Sequence, residues 1–164
     1  MWQTWNKWLM TRHQERLDRI DGVAKEYLAA RSASALLERK LQEVPSFGVP
    51  FGWNKRFGKE FVANLEKTYL VRVYAEFEAG LREYWTTHEG EATRPGMSQL
   101  VGEALAARRR IPSDTVDGAL KIVYLRNYLV HEIDDETRDV PVNYSFEVAK
   151  SFLRAFFYRL NRRW

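Results

Sequence analysis

Apolar residues recur every three or four positions through most of the chain, the step that gathers them on one face of an α-helix. From about residue 14 to 41, Leu17, Ile20, Ala24, Tyr27, Leu28, Leu36, Leu37 and Leu41 keep that step and predict a first helix. A central helix over 60–86 follows from Phe61, Leu65, Tyr69, Val73, Phe77, Leu81 and Tyr84, with Val62, Leu70, Tyr74 and Trp85 widening the stripe. A short helix over 97–109 turns Leu100, Val101, Ala104 and Leu105 inward and stops near Pro112. Ser113 or Asp114 can then cap a long helix reaching His131, because side-chain oxygens at that position accept the first unpaired backbone N–H groups. A last helix over 145–162 packs Phe146, Ala149, Phe152, Leu153, Phe156, Phe157 and Leu160. No segment alternates as a strand does, so the pattern predicts an all-α bundle of four to five helices.

The breaks in the pattern are as informative. Residues 43–60 hold two prolines and three glycines among Phe47, Phe51, Trp53 and Phe57, and read as an ordered aromatic loop. Residues 87–96 read as a second loop. Trp2, Trp5 and Trp8 step by three along an N-terminal arm, residues 1–12, suited to packing on a second subunit. There is no internal repeat, and 164 residues suit a single domain. His13 and His88 lie in polar sequence and read as ordinary residues.

Composition narrows the chemistry. With no cysteine, the chain has no disulfide, thiolate nucleophile or cysteine-ligated metal, which fits a cytoplasmic location. No apolar run is long enough to span a bilayer, and the first residues lack the features of a signal peptide. The acids Glu132, Asp134, Asp135, Glu136 and Asp139 form a run after a helix, which reads as a solvated exit rather than a metal site. No metal and no cofactor is expected. Twenty-six Lys and Arg stand against 22 Asp and Glu, a net charge of +4 that allows nucleic-acid binding without requiring it. The arginines cluster at Arg108, Arg109 and Arg110, which suit either the end of a helix dipole or phosphate contacts. Lys55 and Arg56 sit among the loop aromatics, a mixture suited to stacking bases beside a cationic groove, or to packing.

The segment "LRNYLVHEIDDE", residues 125–136, is the one place where polar groups interrupt an apolar stripe. At about 100° per residue from Val116, Leu120, Val123 and Val130 fall within about 40° of it, and Asn127 and His131 land in that arc at about 20° and 60°. Arg126, at about 280°, borders a second apolar face of Ile122, Leu125 and Leu129. Burying such groups unpaired costs a few kcal/mol. Three explanations fit: a satisfied polar cluster with Arg126 paired to Glu76 or Glu78, a ligand or catalytic site, or a dimer contact.

"RNYLVH", Arg126 to His131, resembles the R-x4-6-H motif of HEPN domains, which often carry a polar residue after the arginine, here Asn127. That motif also lies near the end of a long helix in an all-α bundle, and "VYAEFEAGLREYW" (73–85) is similar to the long central helix of such domains. The resemblance spans roughly residues 60–162 and implies a HEPN-like fold. It further implies a metal-independent endoribonuclease that cuts single-stranded RNA by attack of its own 2′-OH, as in toxins and anti-phage defence effectors. His131 would be the general acid or base, Arg126 the phosphate-holding cation, and Asn127 an orienting group. Implied partners are RNA, a second copy sharing a composite active site, and an antitoxin or regulatory protein, with no membrane. The tyrosine found two residues after the histidine in one toxin subset is replaced here by Ile133. A non-catalytic HEPN-like module binding RNA or protein would use the same helical surface.

Overall fold

A computed structural model describes residues 2–89, 94–131 and 143–160, with the backbone alone at 2–11, 55, 89, 103–104, 107–108 and 131. All of the regular structure among the described residues is helical, which agrees with the predicted all-α bundle. Helix α1 is Trp2–Glu43, and a 3-10 turn at Pro45–Phe51 joins it to α2, Lys55–Glu89. The short α3 (Met97–Gln99), a π-helical stretch (Leu100–Leu105) and α4 (Ala106–Arg109) follow one another directly. Then come α5 (Ser113–His131) and α6 (Phe146–Arg159).

Helix α2 is the spine. One flank pairs antiparallel with α1, as the ion pairs Arg12–Glu83 (2.7 Å), Arg16–Glu83 (2.8 Å) and Arg72–Glu26 (2.6 Å) record in register. Helix α6 fills the groove between these two, with Phe146 against Tyr27 at 4.3 Å and Phe157 against Phe77 at 6.3 Å. Its start is fixed by Ser145, whose hydroxyl accepts from Val148 N–H, and by Glu66, which accepts from Phe146 N–H at 3.0 Å. Helix α5 packs against α2 and α6, and Phe152 of α6 lies against Gly118.

Two boundaries differ from the sequence expectation. Residues 2–12 are the first turns of α1 rather than a separate arm, and the apolar stripe of Leu17, Ile20, Ala24 and Tyr27 extends back to His13. His13 is 2% exposed and stacks on Phe157 at 5.2 Å, so it is a core residue. The loop expected over 43–60 is shorter. Asn54 Oδ1 accepts from Phe57 N–H at 2.9 Å and caps α2, so Lys55, Arg56 and Phe57 are already helical. Gly58, read as a breaker, lies inside that first stretch, where α1 passes close by at Glu38.

The hairpin also outruns the bundle. Helix α6 begins at the level of Tyr27 and Tyr69, and beyond it α1 and α2 pair with each other and with the 3-10 turn. Leu28, Leu36 and Phe61, predicted to face a core, are therefore 51%, 57% and 39% exposed. Phe51, Trp53, Phe57 and Phe61 stack in a ladder there, with centroids 4.7, 5.6 and 5.9 Å apart.

Two tests follow from this packing. A Cβ at Gly80 would lie 2.6 Å from the Phe157 ring, whereas one at Gly22 would meet nothing within 4 Å. Gly80→Ala should therefore lose on the order of 1–3 kcal/mol in urea unfolding, and Gly22→Ala should gain up to about 1 kcal/mol. Burial lowers the His13 pKa from 6.5 to about 4, so the folded chain holds it neutral while the unfolded chain protonates it. Its contribution is complete above pH 6.5 and is lost as pH falls through 4, by up to roughly 3 kcal/mol. Thermal melts of His13→Met should show a shallower decline across that window than the parent.

Candidate functional site

Helix α5 buries both apolar faces its hydrophobic pattern suggests, Val116, Leu120 and Val123 on one and Ile122, Leu125 and Leu129 on the other, but not Val130. Ala119, Ile122, Val123 and Leu125 are all at most 2% exposed, and Leu129 packs on the same side, while Tyr124, Tyr128 and Val130 are 56%, 37% and 43% exposed. The expected burial of Val130 is thus overturned, because the last turn is covered only on the Leu129 side. The helix is held by α2, α6 and the π-helical stretch together, so its core face is broad and centres near Arg126. Arg126 is the polar residue set deepest, and Asn127 lies on the flank towards the exposed tyrosines.

The Arg126 guanidinium lies over the Tyr74 ring, 5.3 Å from its centroid, and its Nη1 donates to Asn127 Oδ1 at 3.1 Å. Its Nε–H, shielded from water, finds no hydrogen-bond acceptor among the described residues. The pairing expected with Glu76 or Glu78 does not form. Glu76 faces Arg16 at 3.6 Å and Glu78 accepts from Arg82 at 2.8 Å, because each carboxylate has a nearer arginine on α1 or one turn along α2. Among the described residues no ion pair reaches Arg126, so its charge is met by a ring face and an amide.

Tyr74 is 2% exposed, and burial pushes its phenol up to about 12, with the Glu78 carboxylate adding to the rise and Arg126 and Arg82 opposing it. The ring under Arg126 therefore stays neutral across the physiological range. His131 is the last residue of α5, four positions after Asn127 and five after Arg126, so the helix register carries it on along the Asn127 flank. Its side chain lies outside the described set, as do residues 132–142, where the acidic run and Ile133 fall.

The remaining sequence candidates do not gather at this site. Arg56 is exposed and paired with Glu60 at 2.7 Å, about 27 Å from the Tyr74 level along α2. Arg109 lies over Tyr84 at 5.0 Å, about 15 Å away in the other direction, which makes it a packing residue. Arg110 is exposed and closes α4 in the left-handed conformation, φ 51°, its N–H donating to Ala106 O. The side chains of Lys55 and Arg108 lie outside the described set. No group of three or more His, Asp or Glu with metal-binding geometry occurs among the described residues, and none of the described helices is long and apolar enough to cross a membrane. The chain matches no known protein family, no curated protein and no solved structure.

An arginine kept for packing should be costly to leave without a carboxylate, and replacing it by an apolar residue of similar length should then be neutral or stabilising. Arg126→Met is expected to keep or raise the melting temperature, whereas Tyr74→Ala, which opens the core, should lose about 3–5 kcal/mol in urea unfolding.

Proposed function

We propose that the chain is a HEPN-type, metal-independent endoribonuclease that cuts single-stranded RNA at a site formed by Arg126, Asn127 and His131. The observation that carries this reading is the state of Arg126: a partly buried cation with no carboxylate partner among the described residues, beside Asn127 and within five residues of His131 on one helix. A cation held this way is poised to accept an anion, and it costs little reorganisation when charge develops on a phosphate.

In the reaction, the 2′-OH attacks the adjacent phosphorus, its proton passes to a base, and the 5′-oxygen of the next nucleotide leaves with a proton, giving a 2′,3′-cyclic phosphate. His131 supplies proton transfer, for which an imidazole suits neutral pH. Arg126 binds the phosphate oxygens through its planar fork, and Asn127 orients either the guanidinium or the imidazole. Tyr124 and Tyr128, exposed beside this flank, offer ring faces for the neighbouring bases. A two-fold homodimer would bring two such helices into one cleft, with a cytoplasmic role in defence or as a toxin held by an antitoxin.

A second reading is a non-catalytic RNA- or protein-binding module. It is favoured by the exposed aromatic ladder at the hairpin tip, which offers a contact surface with no chemistry near it.

Labelled single-stranded RNA incubated with the protein in EDTA distinguishes them. Cleavage to cyclic-phosphate ends is expected, with His131→Ala and Arg126→Met slower by about 10² to 10⁴. Cleavage that persists in both variants, or that needs added metal, removes the site assignment. RNA retention without cleavage selects the binding module.

A further inference from the structure

A cleft of about 570 Å³ opens near the C-terminal end of α2, away from the Arg126 site, lined by Arg12, Arg82, Glu83, Trp85, Thr86, Thr87, Arg94, Pro95 and Leu100. We propose that this cleft binds a phosphomonoester with an organic body the size of a nucleoside. Three guanidinium groups line it, two of them paired with Glu83 and Glu78, so Arg94 carries the excess positive charge. A phosphomonoester carries about −1.5 to −2 at neutral pH and offers three strong acceptor oxygens, which Arg94 meets with charge and the two braced guanidinium groups meet with further N–H donors.

The carboxylates of this region act as supports. Glu83 is clamped between Arg12 at 2.7 Å and Arg16 at 2.8 Å, and so holds Arg12 at the rim. Glu78, outside the cleft, holds Arg82 at 2.8 Å, and a second nitrogen of that guanidinium donates to Pro95 O at 3.4 Å. Fixing guanidinium groups before the ligand arrives lowers the entropy cost of binding an anion. The hydroxyl of Thr87 donates to Glu83 O at 2.8 Å, which leaves the Thr86 hydroxyl as the rim donor.

The remaining wall decides the size of ligand. Trp85, Pro95 and Leu100 are apolar, with Trp85 9% and Leu100 1% exposed, and they back the cationic rim. A volume of about 570 Å³ falls within the range of small-molecule sites and far exceeds what inorganic phosphate fills. The ligand can be a free mononucleotide or the phosphorylated end of an RNA strand, which share this chemistry.

Isothermal titration of the full chain with AMP, adenosine and inorganic phosphate tests the site, and no step of it involves RNA cleavage. A failure here therefore leaves the ribonuclease reading untouched. AMP is expected to bind, phosphate more weakly, and adenosine not at all. Arg94 is exposed and lies outside the core, so Arg94→Ala should fold normally and weaken AMP by about tenfold or more, with Arg94→Lys in between. Arg82→Lys, checked by its melting curve, should also weaken it. AMP binding should decline below about pH 6 as the phosphate takes up its second proton. The proposal is overturned if AMP does not bind, if adenosine binds as well as AMP, or if both arginine variants bind like the parent. Competition between AMP and a 5′-phosphorylated trinucleotide, absent for its 5′-hydroxyl form, supports a strand end as the ligand, and its absence supports the free nucleotide.

Discussion

The bundle depends on a side chain that is missing at Gly80. The Phe157 ring fills the volume a Cβ would take there, and from that position it stacks on His13 and meets Phe77 edge-on, so α1, α2 and α6 converge on one aromatic ring. Gly118 admits Phe152 in the same way and draws α5 against α6. Two glycines thus bring four helices to a separation that bulkier residues would forbid, and the interior is dense enough that each missing methyl group matters. Helix α5, and with it Arg126, takes its height along α2 from these contacts.

That height gives Arg126 its character. Opposite Tyr74 it is too far from Glu76 and Glu78, which Arg16 and Arg82 already occupy, and too deep to be fully hydrated. A ring face and an amide oxygen, its contacts among the described residues, satisfy a cation less completely than a carboxylate does. The same logic, with the opposite outcome, governs Arg16, whose two carboxylate neighbours make it a clasp between α1 and α2.

The all-helical architecture and the central helix were legible in the chain because apolar spacing repeats for many turns and each repeat reinforces the last. The register of α5 was harder to read. Its pattern carries two apolar faces, and a wheel cannot tell that the last turn is covered only on the Leu129 side, so Val130 was placed inward and Arg126 at the border. His13 was legible in principle, since it extends the stripe of Leu17, Ile20 and Ala24 by one turn, but its polar neighbours in sequence obscured it. The capping of α2 by Asn54 was masked by Gly58, which reads as a breaker but lies inside the helix.

By itself the sequence determined that the chain is helical, where its long helices run, and that Arg126, Asn127 and His131 share one of them, because these follow from local periodicity and spacing along a helix. Only the tertiary structure decided that Val130 is left exposed on α5, that Arg126 rests on the Tyr74 ring, and that arginines from positions 12, 82 and 94 line one cleft. Those facts join residues as much as 82 positions apart, and they are set by how helices pack at Gly80 and Gly118, which no local pattern encodes.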